Sequence, residues 1–324
     1  MKTLNERLDL FEDALLAQVG DSMFLRARNL ERELGIHQLW LKFEGDNPTG
    51  TQKDRIAWAQ TYDALRRGFD VITVATCGNY GAALALSART AGLRCVVVIP
   101  EPYQTRRLRE MPGAEVLRVG KTYEDAVVHS RELALEHEWY DANPGGENER
   151  VQLHAYGEIS FEVYDQLRDA PAVVACPMSN GTTLAGVHRG FTSLNRRGKT
   201  SRCPRMVGGS AWKKNPIVAG WLSGAATCPT LPSERIHETS VNEPLINWSS
   251  IDGDLALQAL RESKGFAADV TDKQMRSLSK LLREQQALHV LPASTAGLHA
   301  LLQLHALNPL PPDRYVVVLT GRSS

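Results

Sequence analysis

A lysine set just past an Asn-Pro-Thr-Gly turn is the first residue in this chain whose position suggests chemistry. The segment reads Glu44-Gly45-Asp46-Asn47-Pro48-Thr49-Gly50-Thr51-Gln52-Lys53-Asp54-Arg55. Thr51 followed three residues later by Asp54 predicts a helix start. Lys53 then falls in the first helical turn, where the helix dipole disfavours a cation. An amine so placed could act as nucleophile or base; the same spacing also fits a surface lysine beside Asp54. Two further segments have the form strand, small polar turn, small-residue helix: Thr76-Cys77-Gly78-Asn79-Tyr80 and Ser179-Asn180-Gly181-Thr182-Thr183. Free backbone N–H groups at such a helix start suit an anion, although each loop alone also reads as an ordinary turn. A fourth segment ends a buried apolar run in Thr320-Gly321, placing a hydroxyl at a strand's carboxyl end, where open α/β sheets bind ligands.

The elements that must position these residues follow from pattern. Apolar runs occur at 71–75, 95–99, 115–119, 172–175, 205–207 and 315–319. They are continuous rather than alternating, as expected of strands buried on both faces of a parallel sheet. Helical patterns lie between them, for example at 82–91, 123–136 and 294–306. This alternation predicts an α/β fold. At 324 residues the chain is long enough for about two domains. The turn-rich stretch at 143–149 suggests a hinge, giving a large domain of 1–54 and 151–324 and a small mobile domain of 55–150.

Composition removes several function classes. Lys plus Arg and Asp plus Glu both total 37, so the net charge is zero and nucleic acid is not the expected partner. The basic cluster Arg106-Arg107-Leu108-Arg109 is short. The five cysteines, with no C-x-x-C pair, form neither a disulfide framework nor a zinc pattern, and no metal site is expected. No apolar run approaches the length of a membrane span, and the polar start lacks the pattern of a signal peptide. The expectation is a cytoplasmic protein without a membrane partner. The stretch around Leu8, Leu10, Phe11, Leu15 and Leu16 reads as an amphipathic helix for its own domain or for a partner subunit.

Taken together, the four segments resemble fold-type II pyridoxal-phosphate (PLP) enzymes, the tryptophan synthase β and cysteine synthase superfamily. The likeness is greatest to threonine synthase, whose lysine segment typically reads E-G-x-N-P-T-G-S-F-K-D-R. Gly20-Asp21-Ser22-Met23-Phe24-Leu25 and Leu291-Pro292-Ala293-Ser294-Thr295-Ala296 are similar to two further motifs of that group. The resemblance implies two open, mostly parallel twisted sheets flanked by helices, with pyridoxal 5'-phosphate in the cleft between domains. It implies Lys53 as Schiff-base lysine and carrier of the Cα proton, and Asn79 at the cofactor's 3′-oxygen. Thr76, Cys77, Gly78, Asn79 and Tyr80 would hold the carboxylate of a small amino-acid substrate. Ser179, Asn180, Gly181, Thr182 and Thr183 would hold the cofactor phosphate, and Thr320 would face the pyridine nitrogen.

The implied activity is a β- or γ-replacement or elimination in amino-acid metabolism, carried out by a lyase or synthase that forms a homodimer. The alternatives are a serine/threonine dehydratase- or cysteine synthase-like enzyme acting on an O-activated serine, a catalytically silent PLP-binding relative, and a nucleotide-binding α/β protein. Departures from the threonine synthase pattern bear on substrate. Cys77 and Tyr80 replace small hydroxyl residues, and Cys77 reads either as a reactive thiol or as a small substitute for serine. Asn143-Pro144 is followed by Gly145-Gly146-Glu147-Asn148-Glu149, where an arginine-bearing segment usually holds a substrate phosphate.

Overall fold

A computed structural model describes residues 3–76, 78–103 and 111–323. Cys77 and the basic cluster at 106–109 lie outside the described residues. In chain order the elements are α1 (Leu4–Gln18), β1 (Phe24–Arg26), α2 (Arg28–Leu34), β2 (Leu39–Phe43), α3 (Lys53–Arg66), β3 (Val71–Ala75), α4 (Asn79–Ala91), β4 (Arg94–Ile99), β5 (Ala114–Arg118), α5 (Tyr123–Glu136), β6 (Tyr140–Asp141) and α6 (Glu149–Leu167). They continue as β7 (Val173–Pro177), α7 (Thr182–Arg196), β8 (Arg205–Ala211), α8 (Pro216–Ser223), α9 (Gly253–Glu262), β9 (Phe266–Val270), α10 (Asp272–Gln286), α11 (Ala296–Leu307) and β10 (Tyr315–Leu319). The chain divides into two compact units, one of residues 1–20 and 47–155, the other of 21–46 and 156–324. Residues 1–20 and 47–54, expected with the larger domain, cluster with the first unit.

The first unit is built on a four-stranded sheet in the order β5-β4-β3-β6, with every pairing parallel. Its central strands are valine- and isoleucine-rich runs, buried throughout but for Arg94 at the start of β4, as parallel pairing requires. β5 departs from the expectation of burial on both faces: it is an edge strand and largely exposed, with Glu115 facing Arg94 of β4 at 3.3 Å. α3 and α4 pack together, and the buried Thr61 and Ser87 hydroxyls meet between them at 2.7 Å. α1 packs on its own unit, where Phe11 stacks on the buried Trp58 with ring centroids 5.2 Å apart and Arg7 donates to the Ala91 carbonyl.

The second unit holds a six-stranded sheet in the order β1-β2-β10-β7-β8-β9. All pairings are parallel except that of β1 with β2. β10, the last strand in sequence, lies inside the sheet between β2 and β7 and is buried throughout. α11 lies against β7 and β8, and Gly297 is needed there because a Cβ would come within 2.7–2.9 Å of the Cys176 backbone.

The far end of this unit is tied by Arg202, which grips both Asp313 oxygens at 2.6 and 2.7 Å. That hydrogen-bonded guanidinium holds the Asp313 carboxyl below its ordinary range. The resulting stability is present above the unfolded carboxylate pKa of about 3.9 and is lost as pH falls through the lower folded value. Asp313→Asn should therefore cost about 1 kcal/mol or less at pH 7, since the pair is partly exposed. In thermal unfolding at a series of pH values, the gap to the parent protein should close as pH falls below about 3.9 and through the lower folded value.

Candidate active site

In the first unit the turn before Lys53 is closed by Gly50 N–H donating to the Asn47 carbonyl at 2.8 Å, with Gly50 at φ +83°. The helix then starts differently from the Thr51/Asp54 expectation. Gln52 occupies the cap position without a side-chain hydrogen bond. Asp54 instead reaches back to Thr49, accepting from its amide and hydroxyl, both at 2.9 Å. Thr51 Oγ1 accepts from the Lys53 amide at 3.3 Å. The physical reason is that the helix begins at Lys53, so Thr51 precedes the cap and Asp54 falls at the second helical position instead of the third. The clamp fixes Lys53 as the first residue of α3, half-buried, with Asp54 and Arg55 buried beside it.

Lys53 Nζ stands 5.9 Å from the centroid of the Tyr80 ring. The structure thus brings the lysine segment and the loop after β3 together within one unit. Gly78 makes that loop possible with φ +147°, open only to glycine. Thr76 Oγ1 accepts from the Gly78 amide at 3.2 Å. α4 then begins at Asn79 with no side-chain cap and no acidic residue in its first turn, leaving a positive helix end for an anion. Asn79 is half-buried at that end.

Tyr80 is buried, and its hydroxyl is engaged away from solvent. It donates to the Ala142 carbonyl at 2.8 Å and accepts from Gln60. Gln152 Nε2 adds bonds to the carbonyls of Ala142 and Asn143 at 3.3 and 3.2 Å. Asn143 Oδ1 accepts from the Ala75 amide at 2.8 Å, directly before Thr76. Gln60, Gln152 and Asn143 therefore brace the end of β3 and the start of α4. The sequence reading missed Gln60 and Gln152; their only signal is a long amide on an otherwise apolar helix face. Glu147 is exposed and accepts from Arg67 at 3.2 Å.

In the second unit the Ser179–Thr183 loop follows β7. Gly181 has φ +93°, and a Cβ there would lie 2.6 Å from Ala256 Cβ and 2.9 Å from Ile217 Cδ1. α7 starts next, again with no side-chain cap and no acid in its first turn. The loop's carbonyls are taken from behind: Asn215 Nδ2 donates to Ser179 O at 2.9 Å, and Ser210 Oγ donates to Met178 O at 2.6 Å. Thr182 turns its hydroxyl to the buried Asp252, so it contributes its amide rather than its hydroxyl to the loop's open side.

Thr320 sits at the carboxyl end of β10. Its Oγ1 lies 3.3 Å from Ser294 Oγ, which also reaches the Gly321 carbonyl at 3.2 Å. The Pro292–Thr295 turn and the end of the last strand are thereby joined. Arg322 Nη1 donates to Gly45 O at 3.2 Å, linking Glu44-Gly45-Asp46 to the same strand end. The same unit holds a buried polar group in which sequence gave Lys42 and Glu162 no role. Lys42 Nζ contacts Glu162 at 2.5 Å and Ser22 O at 2.6 Å, and Ser22 Oγ donates to Glu44 at 2.7 Å. Burial, with Glu44 as the lesser cause, pushes the Cys176 thiol up to about 12, so it is inert at neutral pH.

Residues 15–321 match the family described as "Pyridoxal-phosphate dependent enzyme". The chain belongs to that family. It is 30% identical to the threonine synthase of Methanosarcina acetivorans, covering 97% of this chain and 76% of that one. The threonine synthase of Methanocaldococcus jannaschii is likewise 30% identical, with 93% and 74% covered. Among solved structures, maize serine racemase superposes with TM-score 0.78 at 19% identity, covering 98% of this chain and 94% of that one. The processed form of threonine deaminase isoform 2 from Solanum lycopersicum does so with TM-score 0.75 at 16% identity, covering 98% and 90%. The cofactor of this threonine synthase-like PLP enzyme is pyridoxal 5′-phosphate, and its reaction is an elimination or replacement at the β or γ carbon of an amino acid.

The chain's own groups fit that cofactor. A phosphate ester needs a concave set of N–H and hydroxyl donors without a carboxylate at its mouth. The start of α7, with no acid in its own first turn, Asp252 turned to the Thr182 hydroxyl and Gly181 admitting no side chain, fits such a cradle. Gly181→Ala should strain the backbone and clash with Ala256, costing about 1–3 kcal/mol. Melting without cofactor reads the strain, and equilibrium titration with PLP should show affinity at least ten-fold weaker. Tyr80→Phe should cost about 1–2 kcal/mol by removing a buried donor, measured by urea unfolding.

Proposed function

We propose that Lys53 carries the cofactor and moves the substrate's Cα proton in a threonine synthase-like reaction. The observation that supports this most is the placement of Lys53 Nζ on the first turn of α3, 5.9 Å from the Tyr80 ring in the loop that starts α4. Bound at its aldehyde, PLP supplies an electron sink for the pair left at Cα when a bond there breaks. Lys53 Nζ holds and returns the proton at Cα. Asn79 is the donor to the cofactor's 3′-oxygen. The loop of Thr76, Cys77, Gly78, Asn79 and Tyr80 receives the substrate carboxylate at the start of α4, with the Tyr80 hydroxyl excluded from that task because Ala142 and Gln60 hold it. The loop of Ser179, Asn180, Gly181, Thr182 and Thr183 binds the phosphate. Thr320 sets a neutral hydroxyl at the pyridine nitrogen; unlike a carboxylate, it does not stabilise a proton there. That restraint favours expulsion of a leaving group over transamination.

For substrate, the threonine synthases that the chain is similar to suggest an O-phosphorylated homoserine. Glu147 does not oppose this, since it is exposed and faces Arg67. The absence of arginine between Asn143 and Glu149 favours a second reading, elimination or replacement on an O-activated serine. We further infer a cytoplasmic homodimer, on the likeness to the group.

The purified holoenzyme should exchange the α-proton of its preferred substrate with solvent deuterium, followed by NMR over O-phosphohomoserine, O-phosphoserine, O-acetylserine, serine and threonine. Lys53→Ala should lower that exchange by at least about 10²- to 10⁴-fold. Absence of exchange across the panel would favour a silent PLP-binding relative.

A further inference from the structure

We propose that a groove beside α10 in the second unit is a binding site for a small phosphate-bearing polyanion. The groove has a volume of about 300 Å³, at the lower end of the range for small-molecule sites. One wall is α10, which presents Arg276, Ser279, Lys280 and Arg283 at spacings of three and four residues, so that all four share one helix face. The other wall is formed by His289, with Val290 and Pro292, and by Ser323.

Three features single out this groove. No carboxylate is found among the described residues that line it, although the chain as a whole has zero net charge. Its Arg276/Lys280 and Lys280/Arg283 spacings place like charges next to each other, an arrangement that costs a few tenths of a kcal/mol per pair. The helix dipole explains Arg283 in the last turn but not Arg276 in the first half of the helix. Glu284 offsets only part of the excess, meeting Lys280 at 3.7 Å on exposed surface. The walls are also fixed to each other. Ser279 Oγ donates to Val290 O at 2.8 Å, and the Ser323 amide donates to His289 O at 3.1 Å. These two bonds fix the walls relative to each other, and the exposed side chains of Arg276, Lys280, Arg283 and His289 stand on them.

The ligand class follows from the donors. Two guanidinium forks, an ammonium and an imidazole suit phosphate oxygens. Arg276 and Arg283 are seven residues apart, about 10 Å along the helix. That span exceeds one phosphate and fits a molecule with two anionic groups. The strip forming the second wall also carries Ser294, whose Oγ lies 3.3 Å from Thr320 Oγ1. The site is nonetheless separate from the Ser179–Thr183 loop and does not rest on the catalytic reading.

The test is calorimetric titration of the holoenzyme with inorganic pyrophosphate, with inorganic phosphate and fructose 1,6-bisphosphate as further arms and KCl holding ionic strength constant. Saturable binding of one pyrophosphate per chain is expected. It should weaken at least ten-fold in the double variant Arg276→Gln, Arg283→Gln and also in Lys280→Gln, with cofactor absorbance and melting temperature unchanged. Tighter binding of fructose 1,6-bisphosphate than of either inorganic ion would point to an organic ester as the natural source. The reverse order would point to the free ion. No saturable binding in any arm, or equal affinity in the variants, would overturn the proposal.

Discussion

The structure depends on two helix starts that no side chain caps. α4 and α7 each follow a buried parallel strand, each begin after a glycine at positive φ, and each lack an acid in the first turn. A helix end of that kind carries a partial positive charge and unspent N–H donors. Serine, aspartate or asparagine at the cap would satisfy those donors locally. Gly78 and Gly181 cannot, so the donors remain available for an external anion. In the first unit that anion is a substrate carboxylate in our reading; in the second it is the cofactor phosphate.

Much of the remaining polar structure keeps those starts in place. Asn143 holds the last amide of β3, while Tyr80, Gln60 and Gln152 gather on the Ala142 carbonyl. Asn215 does the equivalent work behind Ser179. These groups are buried and bonded, Gln152 through its Nε2. The Asn143 segment, where the threonine synthase pattern carries an arginine, thus acts as a brace for the loop ahead of it. Its acidic Glu147 faces the surface beside Arg67.

How far the sequence revealed this varies with the range of the interaction. β3, α5 and β10 occupy the residues that their patterns predicted, because a buried parallel strand or an amphipathic helix carries its signal locally. The strand-to-helix turns before α4 and α7 and the strand end before Thr320 were legible for the same reason. β2 and β9 were not recognised as strands, and β5 was read as buried when it is an exposed edge. Only the sheet order, set by long-range pairing, tells an edge from a centre. The Asp54 bond to Thr49 rather than Thr51 reflects turn geometry that spacing does not encode. Lys42, Asp252, Gln60 and Gln152 find their partners across tens of residues, which no local pattern records.

The central claim is that one amine, on the first turn of α3, holds the cofactor. Hydride reduction of the PLP-loaded protein, followed by proteolysis and mass spectrometry of the peptides, tests it most directly. The account predicts a pyridoxyl phosphate adduct on the peptide containing Lys53 and on that residue. An adduct on a different lysine, or none in fully loaded protein, would contradict it.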